Sequence, residues 1–187
     1  FADISGFTRM SEGMEPLVLA GILNRTFEAM TDQIFARGGT LDKYIGDAIM
    51  AFFGAPNPDS EHARHAVEAA IAMQEALYAL NAARPEGYPE LKMRIGINSG
   101  EAFAGDIGCE KRMDYTVMGS TVNLASRLES SVARAGQIVV GPHTAELLGM
   151  EGLRQLGAFS LKGIEQEIRP YEVCWDHDAP TAVHELK

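Results

Sequence analysis

The segment TLDKYIGDAIMAFFG, residues 40–54, decides how this chain folds. Two apolar, β-prone halves flank Gly46-Asp47, a pair suited to a tight hairpin reversal. The prediction is a β-hairpin with the Asp47 carboxylate at its bend. A second acid, Asp3, lies in FADISGFT at residues 1–8, where a short β-prone piece runs into a glycine turn. Either aspartate alone reads as an ordinary turn former. Together, each beside a glycine that lets backbone approach a ligand, they suggest a site for a divalent metal and phosphate.

Around this hairpin the pattern alternates between helix and strand. Residues 11–39 read as a helix, with Pro16 in its first turn, Gly38 as its stop and Leu19, Leu23, Met30 and Ile34 on one face. A second helix spans about 61–81, capped by Asp59 or Ser60, with Ala63, Val67, Ala70, Met73, Leu77 and Leu80 as its buried stripe. His62 and His65 are three apart on this helix. A helical histidine pair alone does not close a metal shell, so they read as part of a solvated face. Strands follow at 91–99 and 101–107, then a polar loop at 109–114. A helix from Ser120 to 136 carries Leu124, Leu128 and Val132 as its core stripe. A short strand at 137–140, a short helix from Pro142 and a closing hairpin of 156–161 with 170–175 complete the pattern. Asn123 and Arg127 project from one face of the third helix, one turn apart.

The expected architecture is α+β: a ferredoxin-like βαββαβ core, extended by further strands and helices, with an antiparallel-rich sheet covered by helices. The 187 residues, 46% hydrophobic, suit one globular domain over 1–175, with 176–187 as a tail or linker. The abrupt start suggests a fragment whose first strand is truncated. The net charge of −10 argues against nucleic acid as a partner. Cys109 and Cys174 stand in no metal-ligand spacing and read as free thiols of a reducing compartment. No GxxxxGK[ST] phosphate loop is present.

Four strings, FADISGFT, KYIGDAIMAFFG, MRIGINSGEAFAGDIG and DYTVMGSTVNLASRLE, together resemble the catalytic domain of class III nucleotidyl cyclases. They occur in that family's order and extend the likeness across nearly the whole chain. The resemblance implies conversion of ATP to 3′,5′-cyclic AMP and pyrophosphate in intracellular signalling. Asp3 and Asp47 then correspond to the metal-binding carboxylates, and the backbone carbonyl of Ile4 to a further metal contact. The cofactors implied are Mg²⁺ or Mn²⁺, two per site, lowering the pKa of the attacking ribose hydroxyl and neutralising the leaving phosphates. Lys43 and Thr116 fall on the purine-recognising positions, Asn123 on the ribose-orienting asparagine and Arg127 on the transition-state arginine. Arg94 and Lys162 match positions that contact the triphosphate. No side chain stands out as general base.

Base choice follows from donor and acceptor chemistry. Lys43 can donate to an adenine ring nitrogen, and the Thr116 hydroxyl can accept from the exocyclic amine. Thr116 departs from the commoner aspartate of adenylate cyclases. A hydroxyl both donates and accepts, so a threonine alone discriminates less strictly against guanine. Threonine-bearing members resemble a bacterial, bicarbonate-responsive subgroup, which makes bicarbonate an expected activator. The family builds its site between two subunits, and this chain carries both halves. A two-fold homodimer with two shared sites is therefore expected. Regulatory domains are expected outside this segment. The catalytic domain is expected in the cytoplasm, in a full-length protein that membrane tethering would also suit. Regulatory domains of the same fold that have lost catalysis typically lack a metal acid or the arginine, and neither is lost here.

Overall fold

The structure, a computed structural model, describes residues 1–175. The expected tail at 176–187 lies outside them. The chain opens with β1 (Ala2–Ile4), α1 (Phe7–Ser11), α2 (Pro16–Ala36), β2 (Thr40–Ile45), β3 (Ala48–Phe52), α3 (His62–Ala82) and β4 (Met93–Ile97). It continues with β5 (Phe103–Cys109), β6 (Arg112–Met118), α4 (Ser120–Arg127), a π-helical turn (Leu128–Val132), β7 (Ile138–Val140), α5 (Pro142–Leu147), β8 (Leu153–Gln155) and β9 (Tyr171–Val173).

Seven strands form one sheet in the order β2-β3-β1-β4-β7-β9-β8, and β5-β6 form a separate hairpin. The run β2-β3-β1-β4 is antiparallel throughout, which is the ferredoxin-like arrangement expected. β7 joins it parallel to β4, as a strand returning through a helical crossover does. The Gly46-Asp47 reversal lies where the sequence put it. Ile45 pairs with Ala48, and Gly46 takes the left-handed φ of 63° that this bend requires.

The apolar stripes meet as their spacing dictates. Met30 and Ile34 of α2 and Val67, Ala70, Met73 and Leu77 of α3 pack on one sheet face with Ile4, Ile49, Met93 and Ile95. β7 is buried on both faces. Ile138 and Val140 join that core, while Val139 points the other way, into a second cluster with Leu128, Val132, Ala133 and Leu161.

Several expected boundaries move. The first helix divides, because the chain passes through α1 and a turn before Pro16 starts α2. The 109–114 loop is instead the end of one strand and the start of β6. Gly108 lies inside β5, where a Cβ would come within 2.1 Å of the Arg112 carbonyl, so the glycine allows the close approach of the partner strand. The third helix ends as an α-helix at Arg127 and widens into the π turn, a feature frequent at functional sites. In the closing hairpin, β9 pairs with β8, ahead of the expected 156–161; that segment is joined to the returning chain by a Leu156–Pro170 backbone hydrogen bond and a Phe159–Ile168 bridge. Gly157, at φ 72°, turns the chain out of β8's line.

Gly96 of β4 fixes the distance from the sheet to α4 and the π turn. A Cβ there would lie 2.2 Å from the Glu129 backbone nitrogen and 2.6 Å from the Ala125 carbonyl. Gly96→Ala must therefore push the π turn away. We expect a loss of roughly 1–3 kcal/mol, read as a lower denaturation midpoint with an unchanged m value.

Candidate active site

β1 and β3 are neighbours, with Asp3 opposite Ala48, so the strand pairing brings Asp3 beside Asp47 at the hairpin bend. The Asp47 carboxyl is held above the ordinary range, first by burial and then by the Asp3 charge. Arg94 of β4 sits directly across from Asp3. Its Nη2 lies 2.7 Å from Asp3 Oδ2, and its Nε lies 2.6 Å from Glu129 Oε1. The second contact is a charge pairing outside hydrogen-bond alignment. Glu129, in the π turn, is buried, and its carboxyl is also raised by desolvation, against the pull of Arg94. One guanidinium thus bridges two acids, Asp3 and Glu129, with Asp47 next to Asp3 across the strand pair.

Glu129 ends the DYTVMGSTVNLASRLE string but received no role from the sequence. Only the π turn and the close approach at Gly96 reveal what it touches. Among the described residues no group of three or more His, Cys, Asp or Glu side chains is gathered as a metal cage. The donors at this end are two carboxylates and the end of β1 at Ile4. Such a hard, anionic, incomplete oxygen set fits Mg²⁺ or Mn²⁺ that take their remaining ligands from substrate phosphates and water. A carboxyl that its neighbour and its burial push toward protonation is one that a cation would relieve.

A second cluster lies on β2 and β6. The Thr116 hydroxyl donates to Asp42 Oδ2 at 2.5 Å, and Lys43 Nζ lies 3.1 Å from Asp42 Oδ1. Thr116 is buried, and the Asp42 side chain is 1% exposed against 42% for Lys43. Asn123 is exposed and Arg127 half-buried on α4, and neither side chain forms a hydrogen bond or ion pair among the described residues. Lys162 is exposed in the loop after Leu161, likewise unpaired among them, and nothing there ties it to the acids. Among the described residues no hydrogen bond or ion pair joins the Asp3–Arg94–Glu129 cluster to the Asp42–Lys43–Thr116 cluster.

His65 Nδ1 pairs with Asp59 Oδ2 at 2.7 Å, and this hydrogen bond lowers the Asp59 carboxyl. The same aspartate accepts the Glu61 backbone N–H, a turn bond just ahead of α3; the N-cap itself is Glu61, which carries no side-chain cap, so neither Asp59 nor Ser60 takes the expected capping role. A cavity of about 630 Å³, lined in part by Phe53, Ala70, Ile97 and Asn98, has neither Asp3 nor Asp47 in its lining. Cys109 and Cys174 are free and exposed. No helix among the described residues is long and apolar enough to cross a membrane.

The sign of the Asp47 shift sets a prediction. The folded chain binds this proton more tightly than the unfolded chain does. Ionised Asp47 therefore costs stability above its folded pKa, and the cost fades as pH falls toward the ordinary value of 3.8. Without metal, Asp47→Asn should raise the melting temperature at neutral pH, and the gain should shrink on acidification. Thermal melts of both proteins across pH check this.

Comparison with known proteins agrees with this fold. The adenylate and guanylate cyclase catalytic domain model matches residues 1–174. Adenylate cyclase 1 of Rhizobium meliloti is 39% identical over 92% of this chain, which spans 26% of that relative's length. The crystal structure of the adenylyl cyclase CyaB from P. aeruginosa superposes with a TM-score of 0.88 at 38% identity, covering 92% of this chain and 90% of that one. That of the guanylyl cyclase Cya2 superposes at 0.86, also at 38% identity, covering 92% and 88%. With the family model matched along nearly its full length, the chain belongs to the adenylate and guanylate cyclase catalytic domain family.

Proposed function

We propose that this domain is an adenylate cyclase, closing ATP to 3′,5′-cyclic AMP and pyrophosphate at sites shared between two copies of the chain. The observation that carries this reading is the division of charge within one chain. An acid-rich cluster suited to metal and phosphate stands apart from a Lys43–Thr116 cluster suited to a purine. Two copies arranged about a two-fold axis bring one cluster of each to the other. Exposed apolar side chains support such a face: Tyr44 and Ile45 on β2, and Phe103, Met113, Tyr115 and Met118 on the β5–β6 hairpin.

Asp3, Asp47 and the Ile4 carbonyl would hold two Mg²⁺ or Mn²⁺ ions. When bound, these ions acidify the ribose 3′-hydroxyl and neutralise the pyrophosphate. The chain's own residues do the rest. Asn123 orients the ribose, so that the hydroxyl oxygen attacks the α-phosphorus as the α–β bridging bond breaks. Arg127 meets the charge that builds on the α-phosphoryl oxygens. A preorganised donor of this kind typically contributes ~3–4 kcal/mol, so its loss costs about 10²- to 10³-fold in kcat. Arg94 shares its guanidinium between Asp3 and Glu129 and so stands ready for phosphate oxygens brought to Asp3. Lys162 supplies a further cation to the triphosphate. Lys43 and Thr116 read the adenine.

A guanylate cyclase is the second reading, favoured by Cya2 being as similar as CyaB. Thr116 opposes it, because its oxygen suits the adenine amine. The short span of the relatives supports regulatory domains elsewhere in the full protein. Cytoplasmic action and stimulation by bicarbonate follow from the same reading.

The test incubates the purified domain with Mn²⁺ and ATP or GTP, with and without bicarbonate, and identifies the nucleotide product. Cyclic AMP should predominate. Predominant cyclic GMP contradicts the assignment. Asp47→Ala and Arg127→Ala chains should each be inactive alone. Mixed, they should recover about a quarter of full activity, because half of randomly formed dimers carry one intact site of two. No recovery despite heterodimer formation contradicts the shared site.

A further inference from the structure

Thr116 alone is an ambiguous reader of purines. Its hydroxyl has one hydrogen and two lone pairs, so it can accept from the 6-amine of adenine or donate to the 6-carbonyl of guanine. Asp42 removes that ambiguity. Its carboxylate oxygen lies 2.5 Å from Thr116 Oγ1, and a carboxylate only accepts. The single hydroxyl hydrogen is committed to Asp42, and what Thr116 offers a base is lone pairs alone. A purine carbonyl there meets oxygen against oxygen, whereas an amine finds an acceptor. The Asp42 side chain is 1% exposed, so water does not compete for this bond.

The local fold is built to place Asp42 there. β2 pairs Leu41 with Ala51 but Lys43 with Met50, so Asp42 is the extra residue of a β-bulge. Leu41 packs into the main core, and Tyr44 stacks on Phe27 and bonds Thr31. In a regular strand, residues three apart face opposite sides. The bulge lets both face α2 and turns Asp42 and Lys43 together toward β6.

We infer that Asp42 is a specificity-determining positioning residue: by accepting the Thr116 proton, it makes Thr116 an obligate acceptor and so selects adenine over guanine. This rests on the adenylate cyclase reading above. Asp42 touches no substrate and acts through Thr116.

The test compares kcat/KM for ATP and GTP in the full domain. Asp42→Asn keeps the shape but can donate its amide N–H to Thr116, which frees the hydroxyl hydrogen. The ATP-to-GTP preference should fall about 10- to 100-fold, with a melting temperature close to the parent's. In a Thr116→Val background, the same substitution should change the preference by less than about two-fold, since no hydroxyl remains to orient. An unchanged preference in the parent background, or an equal fall in both, overturns the inference; an equal fall means that Asp42 works through Lys43. The parent's product separates the two failures: predominant cyclic AMP upholds the adenylate reading whatever the variants do. Should Asp42→Asn not fold, the parent enzyme is assayed with purine riboside and 6-methoxypurine riboside triphosphates. Both keep the ring nitrogen that Lys43 reads. The methoxy compound should be the poorer substrate, and a better rate with it overturns the inference.

Discussion

Two carboxylates repel, yet strand pairing sets Asp3 and Asp47 side by side. Everything else at this end of the sheet answers that repulsion. Arg94 lies across from Asp3 on β4 and spans from it to Glu129. Glu129 reaches Arg94 because Gly96 has no side chain to hold the π turn off the strand. One guanidinium among three acids leaves the cluster short of positive charge. Asp47 shows this directly, in a carboxyl pushed toward protonation. Such a site is poised for cations and for the phosphates that arrive with them.

The second cluster follows the opposite logic. Asp42 pairs with the Lys43 ammonium through one oxygen and accepts the Thr116 hydroxyl through the other, which leaves an ammonium and an oriented hydroxyl at this site. On the proposed reading these donors and acceptors would face a flat base. On that reading neither cluster suffices alone, and dimerisation gains a chemical purpose beyond stability: the acids of one copy would take metal and phosphate, and the other copy would read the base attached to them.

Much of this was legible in the sequence because it is local. The Gly46-Asp47 reversal, the stripes of α2 and α3 and the position of Asp3 depend on residues close together in the chain. The four strings carried the rest of the site by resemblance. What was not legible depends on pairing across the sheet. β6, RMDYTVM, is exposed along most of its length, so no apolar alternation announced it. Glu129 looked like one more polar helix residue until the π turn swung it onto Arg94. Asp42 carried no assigned role in the sequence, because its partner Thr116 lies on a distant strand. Leu41 packs against the core and Tyr44, three residues on, stacks on Phe27 of α2, so both face one side of the strand, which requires the bulge at Asp42.

The most direct measurement of the central claim is a crystal structure of the domain with Mn²⁺ and a non-cyclisable ATP analogue, with manganese located by its anomalous scattering. The account predicts manganese peaks bridging the carboxylates of Asp3 and Asp47 to the phosphate chain, with the adenine held at the partner subunit's Lys43 and Thr116. Manganese and phosphates bound away from these two acids, or a base read by the same chain that holds the metal, would contradict it.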